Sequence, residues 1–395
     1  MRIKRVFLKI INGFWAIPVV LFIRAIRPFF YIKFLQIRSN RIGSFVFDSV
    51  YQIILKLRQK KNFYSLLCFE EPTSNDYWAK FIKRQKAINQ WSWYLYYWNK
   101  KIPRGDKHIE RSYLTPLSRD LIGLFEKSRL NLNFQSKENI KGYNWLKSKG
   151  YSDGEPFVCV MVRDSAYLES NELAGEYDFS YHNYRNSNIE DYLPALDWLT
   201  DQGVWVIRMG KVMENPILTK NERIIDYPFL KEWNSFLDIW LFANCDLCIS
   251  TGSGPDCISD VFRRPLLFLN FLPPKGVVSW SNSMTLLKKL SWGDSGKELT
   301  LKESIKYDSL TSFGYEDKNI LVSDLSSEEI TTSVKECWNS MRDHSEMKKD
   351  DKAKQDRFWE ILKSEPNSKG FQGLIHPKAK IGINWLRNKG EDYLL

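Results

Sequence analysis

Between Phe157 and Asn270 the chain alternates short apolar runs with helical patterns, and nearly every apolar run ends in polar residues. FVCVMV (157–162) ends in Arg163-Asp164. VWVI (204–207) ends in Arg208-Met209-Gly210, after a helical segment (189–201) and a turn at Gly203. Ile224-Ile225 ends in Asp226-Tyr227, DLCIS (246–250) runs into the turn TGSGP (251–255), and PLLFLN (265–270) ends in Asn270. Such alternation predicts βαβ units and a parallel sheet. In an open parallel sheet, ligands bind in the crevice beyond the carboxyl ends of the strands. The polar strand ends therefore predict a binding site within an α/β fold.

Charge narrows the partners. The chain has 395 residues and a net charge of +11, unevenly spread. Residues 1–61 hold 13 Lys/Arg against one acid, Asp48, which leaves 45 Lys/Arg against 46 Asp/Glu in the remainder. A nucleic-acid protein carries its basic face on the folded domain, so no nucleic-acid partner is expected. The basicity belongs to VFLKIINGFWAIPVVLFI (6–23) and the residues around it. Lys9 and Pro18 interrupt that run, and no small-residue cleavage site follows it. An amphipathic helix lying on an anionic membrane through residues 1–33 fits best; a single span and a protein-packed helix are the alternatives. Six scattered cysteines predict buried thiols rather than disulfides or a metal site.

Further along, SNRIGSF (39–45) and LLCFE (66–70) read as the start of an α/β domain, without the GxGxxG of a dinucleotide site. Helical patterns follow at 77–98, 118–130 and 137–149. Another at 326–344 opens on Ser327 with Glu328 and Glu329, and the charge run 345–357 reads as a solvated helix. The boundaries expected are 1–33, 34–152, 153–345 and 346–395, the last a tail docking back on the body.

Several residues could carry chemistry. Arg163 could clamp a phosphate and Asp164 serve as general base; a strand-end ion pair is the plain alternative. His182 sits among Tyr181, Tyr184, Arg185, Asn186 and Ser187, with Ser187 or Asn188 able to cap the following helix. Arg208 and Gly210 suit a diphosphate close to the backbone. Thr251, Ser253 and Gly254 offer an anion-binding turn. With no DxD pair, no HExxH and no GxSxG elbow, neither a catalytic metal nor a serine hydrolase is indicated.

YHNYRNSNIEDYLPALDWLTDQGVWVIRMG, then IDYPF, SFLDIWLFANCDLCISTGSGPD and FRRPLLFLN, resemble a bacterial family of glycosyltransferases of polysaccharide biosynthesis with HxYRNS, VIRMG and SG-turn motifs. The match covers roughly 157–275 and is looser at SNRIGSF, where Ser44 stands in place of the family's His. The resemblance implies a GT-B-like fold of two Rossmann-like domains facing across a cleft, the C-terminal one holding a nucleotide-sugar co-substrate. Arg208, Gly210, Ser253 and Gly254 would then hold the donor diphosphate, and Asp226, Tyr227 and Asn270 would line its pocket. His182, Tyr184, Arg185, Asn186 and Ser187 would lie near the transferred sugar, with Asp164 or His182 as base.

The expectation is a membrane-peripheral, metal-independent transferase without a cofactor, on the cytoplasmic side of the inner membrane, acting on a glycan or lipid-linked acceptor. A transferase of another phosphorylated donor, a non-catalytic assembly protein and a soluble hydrolase are the rivals.

Overall fold

The computed structural model describes residues 2–58, 63–85, 88–110, 119–128, 130–170, 180–308, 311–342, 347–366 and 370–395. The chain divides into two compact units, 1–118 with 127–130, and 119–126 with 131–395.

The first unit is built on one βαβ crossover. Strands β1 (Ile32–Ile37) and β2 (Tyr64–Phe69) pair in parallel and are joined by the helix Ile42–Arg58. Single bridges from Ile109 to Phe34 and from Ile88 to Leu67 widen this sheet by one residue on each side. Among the described residues of the first unit this is the βαβ unit present, within the Rossmann-like domain expected at 34–152. The helix expected at 77–98 is two helices, Asp76–Lys83 and Ser92–Lys101. Asn75 caps the first by accepting from the Trp78 N–H at 2.8 Å.

The first helix, Arg2–Ala25, buries Ala16, Val20 and Ile23 against Phe34, Leu66 and Leu95. Burying the Val and Ile side chains contributes about 3–6 kcal/mol. Its last turn is fastened by Arg24, which donates to Asn99 Oδ1 at 2.8 Å, Asn99 O at 2.9 Å and Pro103 O at 2.7 Å. Among the described residues no helix is long and apolar enough to cross a membrane.

The second unit carries a seven-stranded sheet with order β11-β8-β7-β6-β3-β4-β5, every neighbouring pair parallel. Its strands are β3 (Phe157–Met161), β4 (Trp205–Arg208), β5 (Ile224–Asp226), β6 (Leu247–Ser250), β7 (Leu266–Phe271), β8 (Ser283–Leu287) and β11 (Lys380–Ile381). A separate antiparallel pair joins β9 (Lys289–Trp292) to β10 (Ile320–Ser323). All residues of β3, β6 and β7 are buried, which is why they read as unbroken apolar runs rather than alternating ones.

From β3 the chain steps outward to β4 and β5, then returns to place β6 on the other flank of β3. This is the doubly wound order, and its switch point lies between β3 and β6.

Three expectations change here. Residues 119–128 form turns rather than the expected helix, residues 118 and 129 of that stretch lying outside the described residues. Ser326, not Ser327, caps the helix Ser327–Ser340, accepting from the Glu329 N–H at 3.2 Å while Glu329 returns a bond to the Ser326 N–H at 2.8 Å. The charge run becomes the helix Lys349–Ser364, which is amphipathic and buries Phe358, Trp359, Ile361 and Leu362; residues 345–346 lie outside the described residues. The C-terminal segment contributes β11, held by Gln355, which donates to Ile381 O at 2.7 Å and accepts from the Ile381 N–H at 2.8 Å.

Candidate functional site

At the switch point the end of β3 meets the turn after β6. The Arg163 N–H donates to Thr251 Oγ1 at 3.1 Å, and the Thr251 N–H donates to Met161 O at 3.2 Å. The polar segment seen in the sequence closes over this junction as a 3₁₀ helix, Ser180–Arg185; Asp178 and Phe179 lie outside the described residues. Bonds from several elements hold the segment. The Ser187 N–H donates to Arg163 O at 2.9 Å, Arg185 Nη2 donates to Gly252 O, the Tyr184 N–H donates to Ser312 Oγ at 3.0 Å, and Lys288 Nζ donates to Asn186 O at 2.6 Å.

This closure brings like charges together. Arg163 and Arg185 are both half-buried, and neither forms an ion pair among the described residues. Arg163 Nη1 and Arg185 Nε are buried with no hydrogen-bond partner among those residues. Burial, and then the charge of Arg185, bring the Arg163 guanidinium down to about 10. Lys288 is buried beside them and neutralised by Asp324 at 2.6 Å. Asp164 attracts Arg163 and Asp256 attracts Arg185 without forming an ion pair with either, and like charges that are partly desolvated together are costly for the protein alone.

Period sorts the rest of the segment. In a 3₁₀ helix residues three apart eclipse, so Tyr181 and Tyr184 share one face and His182 and Arg185 another. Tyr184 is buried with Leu272, Leu290 and Tyr315, its ring 5.5 Å from that of Tyr315. It belongs to the hydrophobic core of this region. His182 is half-buried on the Arg185 side, its ring 4.0 Å from that of Tyr181.

The expected nest in the turn is filled from within. The Gly252 and Ser253 N–H groups both point at Ser250 Oγ, at 3.1 and 3.3 Å, and that hydroxyl donates to Asp256 Oδ2 at 2.8 Å. Burial pushes the Asp256 carboxyl up to about 6. Gly252 has φ +78°, and a Cβ there would stand 2.7 Å from the Phe271 ring. Gly252→Ala should therefore cost at least about 1–2 kcal/mol from the left-handed backbone alone, read as a lower midpoint in urea unfolding. Ser253 and Gly254 remain partly exposed at the mouth of the turn.

Other strand-end residues serve the fold. Arg208 is 1% exposed; it donates to Asn215 O at 2.7 Å and pairs with Asp226 at 3.4 Å and Asp164 at 4.0 Å. Its Nη groups are thus held from within the fold, while Nε is buried with no hydrogen-bond partner among the described residues. A Cβ on Gly210 would stand 2.4 Å from Met213 Sδ, the far end of a flexible side chain. Asp226 also accepts from the Ile217 N–H at 2.7 Å. Tyr227 is fully buried with its hydroxyl on Asn234 O and N at 3.0 Å. Asn270, at φ +54°, accepts from the Leu325 N–H at 2.7 Å and donates to Tyr192 Oη at 3.2 Å. Asp164 ties two loops together, accepting from the Ala166 N–H at 3.2 Å and the Glu214 N–H at 3.0 Å; burial raises its pKa.

Lys288 and Asp324 were not singled out by sequence, since one lies in LLKKL and the other in SDLSS. A cavity of about 970 Å³ opens at the amino ends of β7 and β8, lined by Pro265, Leu266, Ser283, Met284 and His376 among others, and contains none of the switch-point residues.

No protein-family profile and no curated protein matches the chain. Among solved structures it is similar to Escherichia coli ADP-heptose LPS heptosyltransferase II, at 12% identity and a TM-score of 0.44 over 79% of this chain and 100% of that one. It is also similar to a glycosyl transferase family 9 structure from Veillonella parvula, at 10% identity and a TM-score of 0.45 over 78% and 97%. Likeness at that level carries no function across; this chain's own strand order and side chains must do so.

Proposed function

We propose that the chain is a glycosyltransferase that moves a sugar from a nucleoside-diphosphate sugar to a glycan or lipid-linked acceptor. The observation that carries this reading is the Arg163–Arg185 pair at the doubly wound switch point, two half-buried guanidinium groups that repel one another, form no ion pair among the described residues, and each keep a buried N–H without a hydrogen-bond partner there. A diphosphate supplies the missing charge and bidentate acceptors. The resemblance of residues 157–275 to polysaccharide-forming transferases adds the sugar.

In the reaction the acceptor hydroxyl attacks the anomeric carbon, and the bond from that carbon to the diphosphate oxygen breaks. The diphosphate leaves with the electron pair and its growing charge falls on Arg163 and Arg185, the electrostatic role a divalent cation fills elsewhere. His182 takes the acceptor proton. It lies one 3₁₀ turn before Arg185 on the same face, whereas both oxygens of Asp164 already accept backbone N–H groups. His182→Asn should lower turnover by roughly 10²–10⁴-fold with donor affinity retained; an equal loss in Asp164→Asn with His182→Asn unaffected would reverse the assignment.

The test of the reading itself is a thermal titration of the full chain with UDP, GDP, CMP, ADP and dTDP. The full chain is needed because residues 16–23 supply core side chains to the first unit. A ligand at about one hundred times its Kd adds roughly 2.7 kcal/mol, and one nucleotide should raise the midpoint above the others. A flat response from folded protein would exclude these donors.

A further inference from the structure

The first helix is apolar on two sides, and the first unit covers only one. Gly13, Ala16, Val20 and Ile23 face inward, where a Cβ on Gly13 would stand 2.8 Å from the Trp98 ring. The opposite stripe, Ile10, Phe14, Pro18 and Phe22 at steps of four, faces out, with Leu21 beside it and Phe29 and Phe30 just beyond the helix. Phe14 is 83% exposed, Phe22 64% and Phe29 92%. An exposed apolar stripe of this size marks a docking surface.

We infer that this stripe is the surface by which the protein lies on an anionic lipid bilayer, with the helix axis in the membrane plane and the three phenylalanines in the interfacial zone. Two observations choose this occupant. The 61 residues that include the stripe carry 13 basic side chains and one acid, which attracts anionic headgroups and repels a second copy of the same face. The inner stripe is packed and Arg24 is bonded to Asn99 and Pro103, so the helix cannot turn into a span without opening the core beneath it. Aromatic residues at such a face anchor at headgroup depth.

The inference goes beyond sugar transfer and is read without substrate. The full chain is sedimented with vesicles of phosphatidylcholine alone or mixed with phosphatidylglycerol, at low and high salt. The expected result is binding to the mixed vesicles, weakened by salt, and at least about tenfold lower for Phe14→Ser/Phe22→Ser, whose circular dichroism matches the parent because both side chains already face outward. The inference is overturned if folded protein stays in solution with anionic vesicles. It is equally overturned if the double variant binds as well as the parent, or if the parent self-associates without lipid and the variant does not, which would give the stripe to a second copy.

Discussion

Arg163→Ala should lower affinity for the nucleoside diphosphate by roughly 10–100-fold, while the unliganded protein stays as stable as before or gains slightly. The affinity loss follows from removing a charge-assisted hydrogen bond, worth about 1.5–3 kcal/mol. Unchanged stability follows from the electrostatics. In the free protein Arg163 forms no ion pair among the described residues and feels the charge of Arg185 more strongly than that of Asp164, so deleting it removes more repulsion than attraction. Arg185→Ala should weaken binding similarly but also lose its bond to Gly252 O, at about 1 kcal/mol. Calorimetric titration read beside thermal unfolding separates the two quantities. If Arg163→Ala binds the nucleotide normally, the diphosphate does not sit at the switch point.

Arg208→Met should behave in the opposite way. Its guanidinium holds Asn215 O and Asp226 beneath the surface, and its loss leaves a carbonyl and a carboxylate without their partner. Breaking one side of a buried pair costs roughly 3–5 kcal/mol, lowering the thermal midpoint by about 10 °C in a unit of this size. Nucleotide affinity, measured well below the new midpoint, should stay close to that of the parent. Arg208→Met that unfolds normally but loses the nucleotide would restore the ligand-binding role suggested by the family resemblance.

These two arginines show where sequence reading reached its limit. Both close a short apolar strand, and both are followed by residues that suit a ligand. What separates them is the side of β3 on which they fall. Arg208 ends β4, beside β5 and its acid Asp226, whereas Arg163 lies two residues past the end of β3, beside the turn that follows β6. Strand order arises from pairing across the chain and leaves no local trace. The strands themselves were legible because burial on both faces writes them as apolar runs. The 3₁₀ helix Ser180–Arg185 was legible only as a polar cluster; its face-splitting of Tyr184 from His182 needed the three-residue period. Lys288 was invisible because a lysine beside a second lysine gives no sign of which one turns inward. Asn270 looked like a pocket residue because its left-handed backbone and its bond to Leu325 are tertiary facts.

The switch point also bears on how the chain folds. Val158 finds its β6 partner Leu247 across almost ninety positions of sequence, and long-range parallel pairing is slow to form. Arg163 and the Gly252 turn do not exist as neighbours until that pairing is made. A nucleotide that binds there recognises only chains that have finished it, and by mass action draws partly folded chains toward completion. The cellular supply of the donor would then influence how much of this protein survives synthesis, before any sugar is transferred.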